Sequence, residues 1–431
     1  VFSSVLLPLS WLAAIAVLAP WITARLADGA EEIAEAPLII HQIVPDPSDA
    51  DRWYAITSNM GVLASRDGGR RWFHANQGLR SFTHHALVAM KTPDAEHPMV
   101  LAGGWGGGVS ISRDRASTWS ERNGDLGNTA VDALAVDPAH ASWWYAATST
   151  GVSRTTDAGE HWEPFDQGLP ALSEAVGYKS LAIEPRGRLW LSTEGGLFRR
   201  EPGAARWTAD PDLGSARVTV VACHPRDGRV YVGTIKQGIY VGRGRDWQRV
   251  GGPGWFVSRI VFDPREASRV YVATRGSGVF VTDNGGATWR RLGHGLTDPD
   301  VRSLAVHPAD PSRLAAGTTS SGVFYSRDGG ASWRAAAPIA RITMSQIVAM
   351  LSPAASPAEA PVLPEAFVKC NRCHGWTDRR LNGKHTYWRV PPNPRDWAST
   401  VARMAERAKL TGDERAEVTR FLTAYSRAVA P

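Results

Sequence analysis

The sequence predicts an all-β seven-bladed propeller, preceded by a hydrophobic helix and followed by a small all-α domain. Three observations predict this. A box ending in tryptophan recurs about every 43 residues, and a strand ending in x-Pro keeps the same beat. Past residue 363 both marks stop and helical patterns begin. A chain of 431 residues, 43% hydrophobic and 21% charged, is globular and long enough for two or three domains.

Residues 5–22, VLLPLSWLAAIAVLAPWI, carry no charge and reach the edge of spanning length. A cleaved export signal is the other reading. A basic leading region is missing, however, and Ala27-Asp28-Gly29 is a weak cleavage site. Residues 1–30 are therefore expected to be a membrane anchor or uncleaved signal. Both readings export the rest of the chain, so a periplasmic protein held at the inner membrane is predicted.

Residues 38–336 hold the repeat. The clearest boxes are SRDGGRRW (65–72), SRDRASTW (112–119), TTDAGEHW (155–162), TDNGGATW (282–289) and SRDGGASW (326–333). Two degenerate copies end at Trp207 and Trp247. The spacings between the seven Trp run 47, 43, 45, 40, 42 and 44. An apolar strand ends in x-Pro at Pro47, Pro93, Pro138, Pro185, Pro225, Pro264 and Pro308. Runs such as RVYVATRGSGVFVT alternate around a Gly turn and read as two more strands, and a fourth follows the Trp. Four short strands repeated seven times make a seven-bladed propeller. Two segments, 39–47 and 342–353, both resemble a first strand, and either could close the ring. The box itself has a physical role: its Asp can bond backbone N–H groups in the turn, and its Gly supplies positive φ. The Trp then folds over its own hairpin or into the gap between blades.

These boxes resemble those of the Asp-box (BNR-repeat) propellers, a group that includes sialidases, sortilin-type receptors and the photosystem II stability/assembly-factor family. The resemblance covers about 300 residues and implies the fold, not an activity. Sialidases grip a sugar carboxylate with three arginines, the first in an Arg-Ile/Leu-Pro motif on an early strand. Residues 38–60 hold no such motif, and the near match Arg389-Val390-Pro391 lies outside the propeller. The assembly-factor type, with even blades and no catalytic set, is the nearer likeness.

Three other features carry bland expectations. AGGWGGG (102–108) is read as a turn between strands, because a phosphate loop needs a following helix. His84-His85 is expected in an exposed loop. Cys223, in TVVACHP, is expected to be a small core residue on a buried strand.

Residues 337–363 are rich in Ala, Pro and Ser and read as a linker. Residues 364–431 contain Cys370-x-x-Cys373-His374, the attachment sequence of c-type haem. The predicted all-α domain is thus a cytochrome c domain with one covalent haem c. Cys370 and Cys373 would form the thioethers and His374 the proximal iron ligand. The sixth ligand falls to Met404 or His385. Trp397, Val401, Met404 and Ala408 share one face of a predicted helix. Small single-haem domains that this segment resembles place the Met on such a helix, which favours Met404. In the commoner mitochondrial-type pattern the Met precedes a Pro-rich loop, a place held here by Val390. Thr411-x-x-Glu414 is a capping box that opens the last helix.

Residues 364–431 hold 13 Lys/Arg and 7 Asp/Glu, so the chain's net charge of +6 resides there and the remainder balances. A basic surface around haem suits an acidic docking face on a redox partner. The sequence therefore predicts a membrane-anchored electron carrier serving a membrane redox complex or another electron-transfer protein, with no nucleic-acid partner. Two alternatives stand beside it. One is a propeller dehydrogenase with the haem as internal acceptor, and the other is an assembly or scaffold factor.

Overall fold

In the computed structural model the described residues are 38–339, without 93, 94, 128, 171–178, 194 and 215. They form seven four-stranded antiparallel sheets, each a simple meander of consecutive strands. Blade 1 shows the pattern: Ile40–Asp46, Asp49–Thr57, Val62–Ser65 and Phe73–His74. The innermost strands of the following blades are His84–Met90, Val131–Val136, Ser180–Ile183, Val218–Cys223, Val257–Phe262 and Val301–Val306. Each innermost strand neighbours the next, and the last returns to the first, so the seven close a ring. The expected all-β seven-bladed propeller is what the described residues show. The hydrophobic N-terminal helix, the linker from residue 340 on, the segment 342–353 and the cytochrome c domain lie outside them.

The core sits between blades. Tyr54, Ile56, Val62 and Leu79 of blade 1 pack with Leu87, Val100, Ala102 and Trp119 of blade 2. Equivalent clusters join every adjacent pair around the ring. This follows from the second strands, runs such as VYVAT (270–274) that are buried on both faces. A single such sheet leaves two apolar faces wet, and stacking in a circle covers both.

Closure uses no shared blade. Segment 39–47 supplies the inner strand of blade 1, which answers the question of which first-strand segment belongs to that blade. Blade 7 then meets blade 1 through Ile40, Ile43, Trp53, Ala305 and Ala315. The seam is also held by Ile43 N–H to Ser303 Oγ (2.7 Å), Ala337 N–H to the Arg70 carbonyl (2.7 Å), and the Arg313–Asp51 ion pair.

The box works as its composition implies, with one part the sequence did not assign. Asp67 Oδ1 accepts the Arg70 and Arg71 N–H groups at 3.1 and 3.0 Å. Asp114, Asp157, Asn284 and Asp328 each accept the N–H four residues on. The leading Ser/Thr closes the turn from the other side: Ser65, Ser112, Thr155, Thr282 and Ser326 accept the N–H of the fifth box residue at 2.9–3.0 Å. The Trp reaches into the gap between blades. Indole N–H groups of Trp119, Trp162, Trp207 and Trp289 donate to backbone carbonyls of the preceding blade. In blade 1 Trp72 donates to Gly69 within its own turn.

In a meander, the turns after strands one and three fall at one end of the ring. The x-Pro turns and the boxes therefore share an end. The turns between strands two and three, and the starts of the innermost strands, share the other.

Candidate functional site at the mouth of the ring

The innermost strand of a blade begins at the end opposite the boxes. There its pairing slips by one residue: the register shifts across His41, His85, Asp132, Thr219, Ser258 and Arg302. In blade 4 Lys179 holds the same place, just ahead of Ser180. A bulge leaves its extra residue outside the ladder and re-aims that side chain. The fold thus presents seven side chains around the mouth, one per blade. Their identities are His, His, Asp, Lys, Thr, Ser and Arg.

Two of the seven hold the ring together. Thr219 Oγ1 donates to the Val257 carbonyl (2.5 Å) and Ser258 Oγ to the Val301 carbonyl (2.6 Å), each on the next inner strand. The other five build a polar cluster. The His41 and His85 rings stack at 4.4 Å, and His85 stacks on Trp105 at 4.4 Å with planes 8° apart. Trp105 Nε1 donates to Asp132 Oδ1 at 2.8 Å. Lys179 Nζ donates to Asp132 Oδ2 and to the Thr148 carbonyl, both at 2.7 Å. The Lys179 side chain is only 6% exposed and that of Asp132 14%, so this pair is largely withdrawn from water. On the far side Arg302 Nε donates to Thr319 Oγ1 (3.1 Å), and Arg275 forks onto Asp300 at 2.9 and 3.3 Å. Burial, then His85, Arg302 and Arg275, hold the His41 pKa well below the ordinary imidazole value, so His41 is neutral near pH 7. Its Nε2 lies 2.6 Å from Ser58 Oγ.

Two expectations are corrected here. His84-His85 is not an exposed loop pair: it opens the innermost strand of blade 2, with His84 2% exposed and His85 in the stack. A bulge at His85 places these two consecutive polar residues at a strand start. Cys223 does end an inner strand and is free, but it is half-buried, set against the blade 4–5 cluster. AGGWGGG is the expected turn, joining Met99–Gly104 to Gly108–Ser112, and its Trp105 is a site residue. Cys370, Cys373, His374, Met404 and His385 lie outside the described residues.

The mouth was readable in retrospect. His41, Asp132, Lys179, Thr219, Ser258 and Arg302 each stand six residues before the x-Pro proline, and His85 stands eight before it. A fixed offset with changing chemistry was the available signal. A separate cavity of about 290 Å³, lined by Thr150, Gly151 and residues 166–170, lies at the same end but shares none of these groups.

Comparison with known proteins adds the fold's company. A family model for sortilin (neurotensin receptor 3) matches residues 241–343. A search of curated proteins found no match. Among solved structures, the GH74 xyloglucanase of Xanthomonas campestris is 16% identical with a TM-score of 0.58, covering 69% of this chain and 54% of its own. The GH74 enzyme of Niastella koreensis is 18% identical with a TM-score of 0.57, covering 70% and 55%. This chain thus spans about half the length of those two proteins. YCF48, solved bound to D1 peptide, is 16% identical with a TM-score of 0.52, covering 67% of this chain and 93% of its own. At such identities the likeness is one of fold.

Proposed function

We propose that the propeller is a docking platform of scaffold or assembly type, which receives a partner at the mouth of its ring, in a chain that also carries a covalent haem c. The observation that carries the platform reading is the contrast of repeats at the mouth. The same place at the start of the innermost strand, bulged in six of the seven blades, holds six different residue types, and five of the seven side chains build a polar cluster. YCF48, a ring of this architecture, was solved with D1 peptide bound, which supports a polypeptide as the partner class.

The haem reading rests on the donor set. Two thiols at attachment spacing are followed at once by an imidazole, and Met404 and His385 are the candidates for the sixth position. Haem bound there would supply one-electron redox chemistry. Cys370 and Cys373 would hold it covalently, and His374 and Met404 would ligate the iron. The basic excess of residues 364–431 favours an acidic face on a membrane redox complex or another electron-transfer protein as its counterpart. This second reading makes the chain an inner-membrane-anchored periplasmic electron carrier.

The test uses the full chain as bait on solubilised membranes, with captured proteins identified by mass spectrometry. Trp105→Ala and Arg302→Gln should lose a partner that the wild type retains. Retention by both would overturn the mouth as docking site. Alkaline pyridine spectra of denatured protein should show covalent haem in the wild type and none in Cys370→Ala/Cys373→Ala. Haem extracted freely from the wild type by acid and organic solvent would overturn the attachment.

A further inference from the structure

We infer that the cavity at the mouth end of blade 3 binds an alkylammonium group, such as a lysine side chain presents, with Asp166 as its counter-charge. The site stands on its own geometry. Only the source of the ammonium, a lysine of a docked polypeptide as against a free amine, rests on the platform reading.

Asp166 stands four residues after the box tryptophan of blade 3, where blades 1 and 2 have Asn76 and Asn123. The fold puts the three side chains in one place: a Cβ on Gly61, Gly108 or Gly151 would collide with an oxygen of Asn76, Asn123 or Asp166 respectively. Each asparagine uses both ends of its amide on the turn it faces. Asn76 Oδ1 accepts the Val62 N–H (2.7 Å), and its Nδ2 donates to the Met60 carbonyl (2.8 Å). Asn123 makes the same pair with the Val109 N–H and the Gly107 carbonyl, at 2.8 and 3.2 Å. Neither bond recurs at Asp166. A carboxylate has no proton to donate to a carbonyl, and among the described residues no group donates to this one. Lys179, which reaches the same turn, is held by Asp132 and the Thr148 carbonyl. Blade 3 thus gives up two turn bonds to carry an uncompensated negative charge, which the repeat itself does not require.

The space beside the carboxylate selects the kind of cation. Asp166 lines the cavity of about 290 Å³ that Thr150, Gly151 and residues 167–170 complete. One water takes about 30 Å³, so the volume admits more than a bare ion. Leu169 and Pro170 give the cavity an apolar side: Leu169 is half-buried against the core between blades 3 and 4, and Pro170 is exposed. A carboxylate next to an apolar wall matches a charged head on a methylene stem. The head would give Asp166 the charge-assisted hydrogen bond that no group of the ring supplies.

Calorimetry on the purified full chain, at constant ionic strength, should show saturable binding of n-butylammonium, which Asp166→Asn weakens at least tenfold. Asp246→Asn, at an exposed carboxylate of blade 5, should leave it unchanged. Asp166→Asn should also melt higher than wild type, because its amide can remake the bonds of Asn76 and Asn123. Asp166→Ala should lose the amine without that gain in stability. A blocked Gly-Lys-Gly peptide bound more tightly than n-butylammonium would make a polypeptide lysine the source, and the reverse order a free amine; either order keeps the site. No saturable heat with either amine, or equal binding in wild type and Asp166→Asn, overturns the inference. So does calcium binding that depends on Asp166 in a protein that binds no amine. Partner capture that needs Trp105 in a protein that binds no amine would leave the platform reading standing and remove only this site.

Discussion

The two ends of the ring are built from one repeat and behave as opposites. At the box end, chemistry is copied from blade to blade. A Ser/Thr hydroxyl, an Asp or Asn side chain and a Trp indole satisfy backbone groups of their own turn or of the neighbouring blade. At the mouth end, backbone position is copied but side chains are not: His, His, Asp, Lys, Thr, Ser and Arg occupy one place, bulged in every blade but the fourth. The lesson is that repetition in a repeat protein reports what the fold requires. A position whose geometry repeats while its chemistry varies is free of that requirement, and there binding chemistry can accumulate.

The sharpest way to break the comparison is to remove a box tryptophan. Trp119 is buried between blades 1 and 2, and its indole donates to the Ala75 carbonyl at 2.7 Å. Trp119→Ala should cost about 3–5 kcal/mol in denaturant unfolding, while partner capture per folded molecule stays unchanged. A stable Trp119→Ala that loses capture would place function at the wrong end. Asp132→Ala should be nearly as damaging for another reason. It strands the Lys179 ammonium in a site 6% exposed, at about 3–5 kcal/mol. Adding Lys179→Met should restore most of that stability without restoring capture. Recovery of both would make the pair structural.

Acid separates the ends more gently. His84 is 2% exposed, and burial followed by the charge of His85 draws its pKa down to about 3. An unfolded histidine takes its proton near pH 6.5, so the unfolded chain binds the proton first. The stability of the fold is then lost as pH falls below about 6.5, at about 1.4 kcal/mol per pH unit for each such group. The loss for His84 continues down to about pH 3. His41, His224 and His307 are shifted in the same direction by burial and steepen the slope. Box carboxylates such as Asp67 and Asp114, whose pKa values are lowered, lose their contribution only below the ordinary carboxylate range. Melting temperatures between pH 7 and 5 should therefore fall less in His84→Asn than in wild type. An unchanged slope would mean that His84 does not titrate across folding.

Two smaller effects sharpen the box end alone. Asp67→Ala removes the acceptor of the Arg70 and Arg71 N–H groups on an exposed turn and should cost about 1–2 kcal/mol. Arg115 holds φ at 60° where the boxes of blades 1, 6 and 7 have Gly68, Gly285 and Gly329. Arg115→Gly should relieve that conformation and stabilise by about 1 kcal/mol, read as a higher melting temperature. A destabilised Arg115→Gly would show that side-chain contacts of Arg115 outweigh its backbone strain.

Blade number, blade boundaries and the roles of Asp67, Gly69 and Trp119 were legible in the chain because each is local. A turn type selects Asp and Gly within eight residues, alternation selects strands, and periodicity counts them. The same locality is why Cys370-x-x-Cys373-His374 reads as a haem-attachment sequence in the chain alone. The mouth was not legible in this way. His41, His85, Trp105, Asp132, Lys179 and Arg302 come from five blades and span more than 250 residues of sequence. Only ring closure brings blade 7 beside blade 1, and only the one-residue register slip takes His41, His85, Asp132 and Arg302 out of the strand alternation. Sequence determined the repeated unit, whose forces act over a few residues. Tertiary structure decided the site, because burial of blade faces, not any local preference, fixes which strand starts meet around the axis.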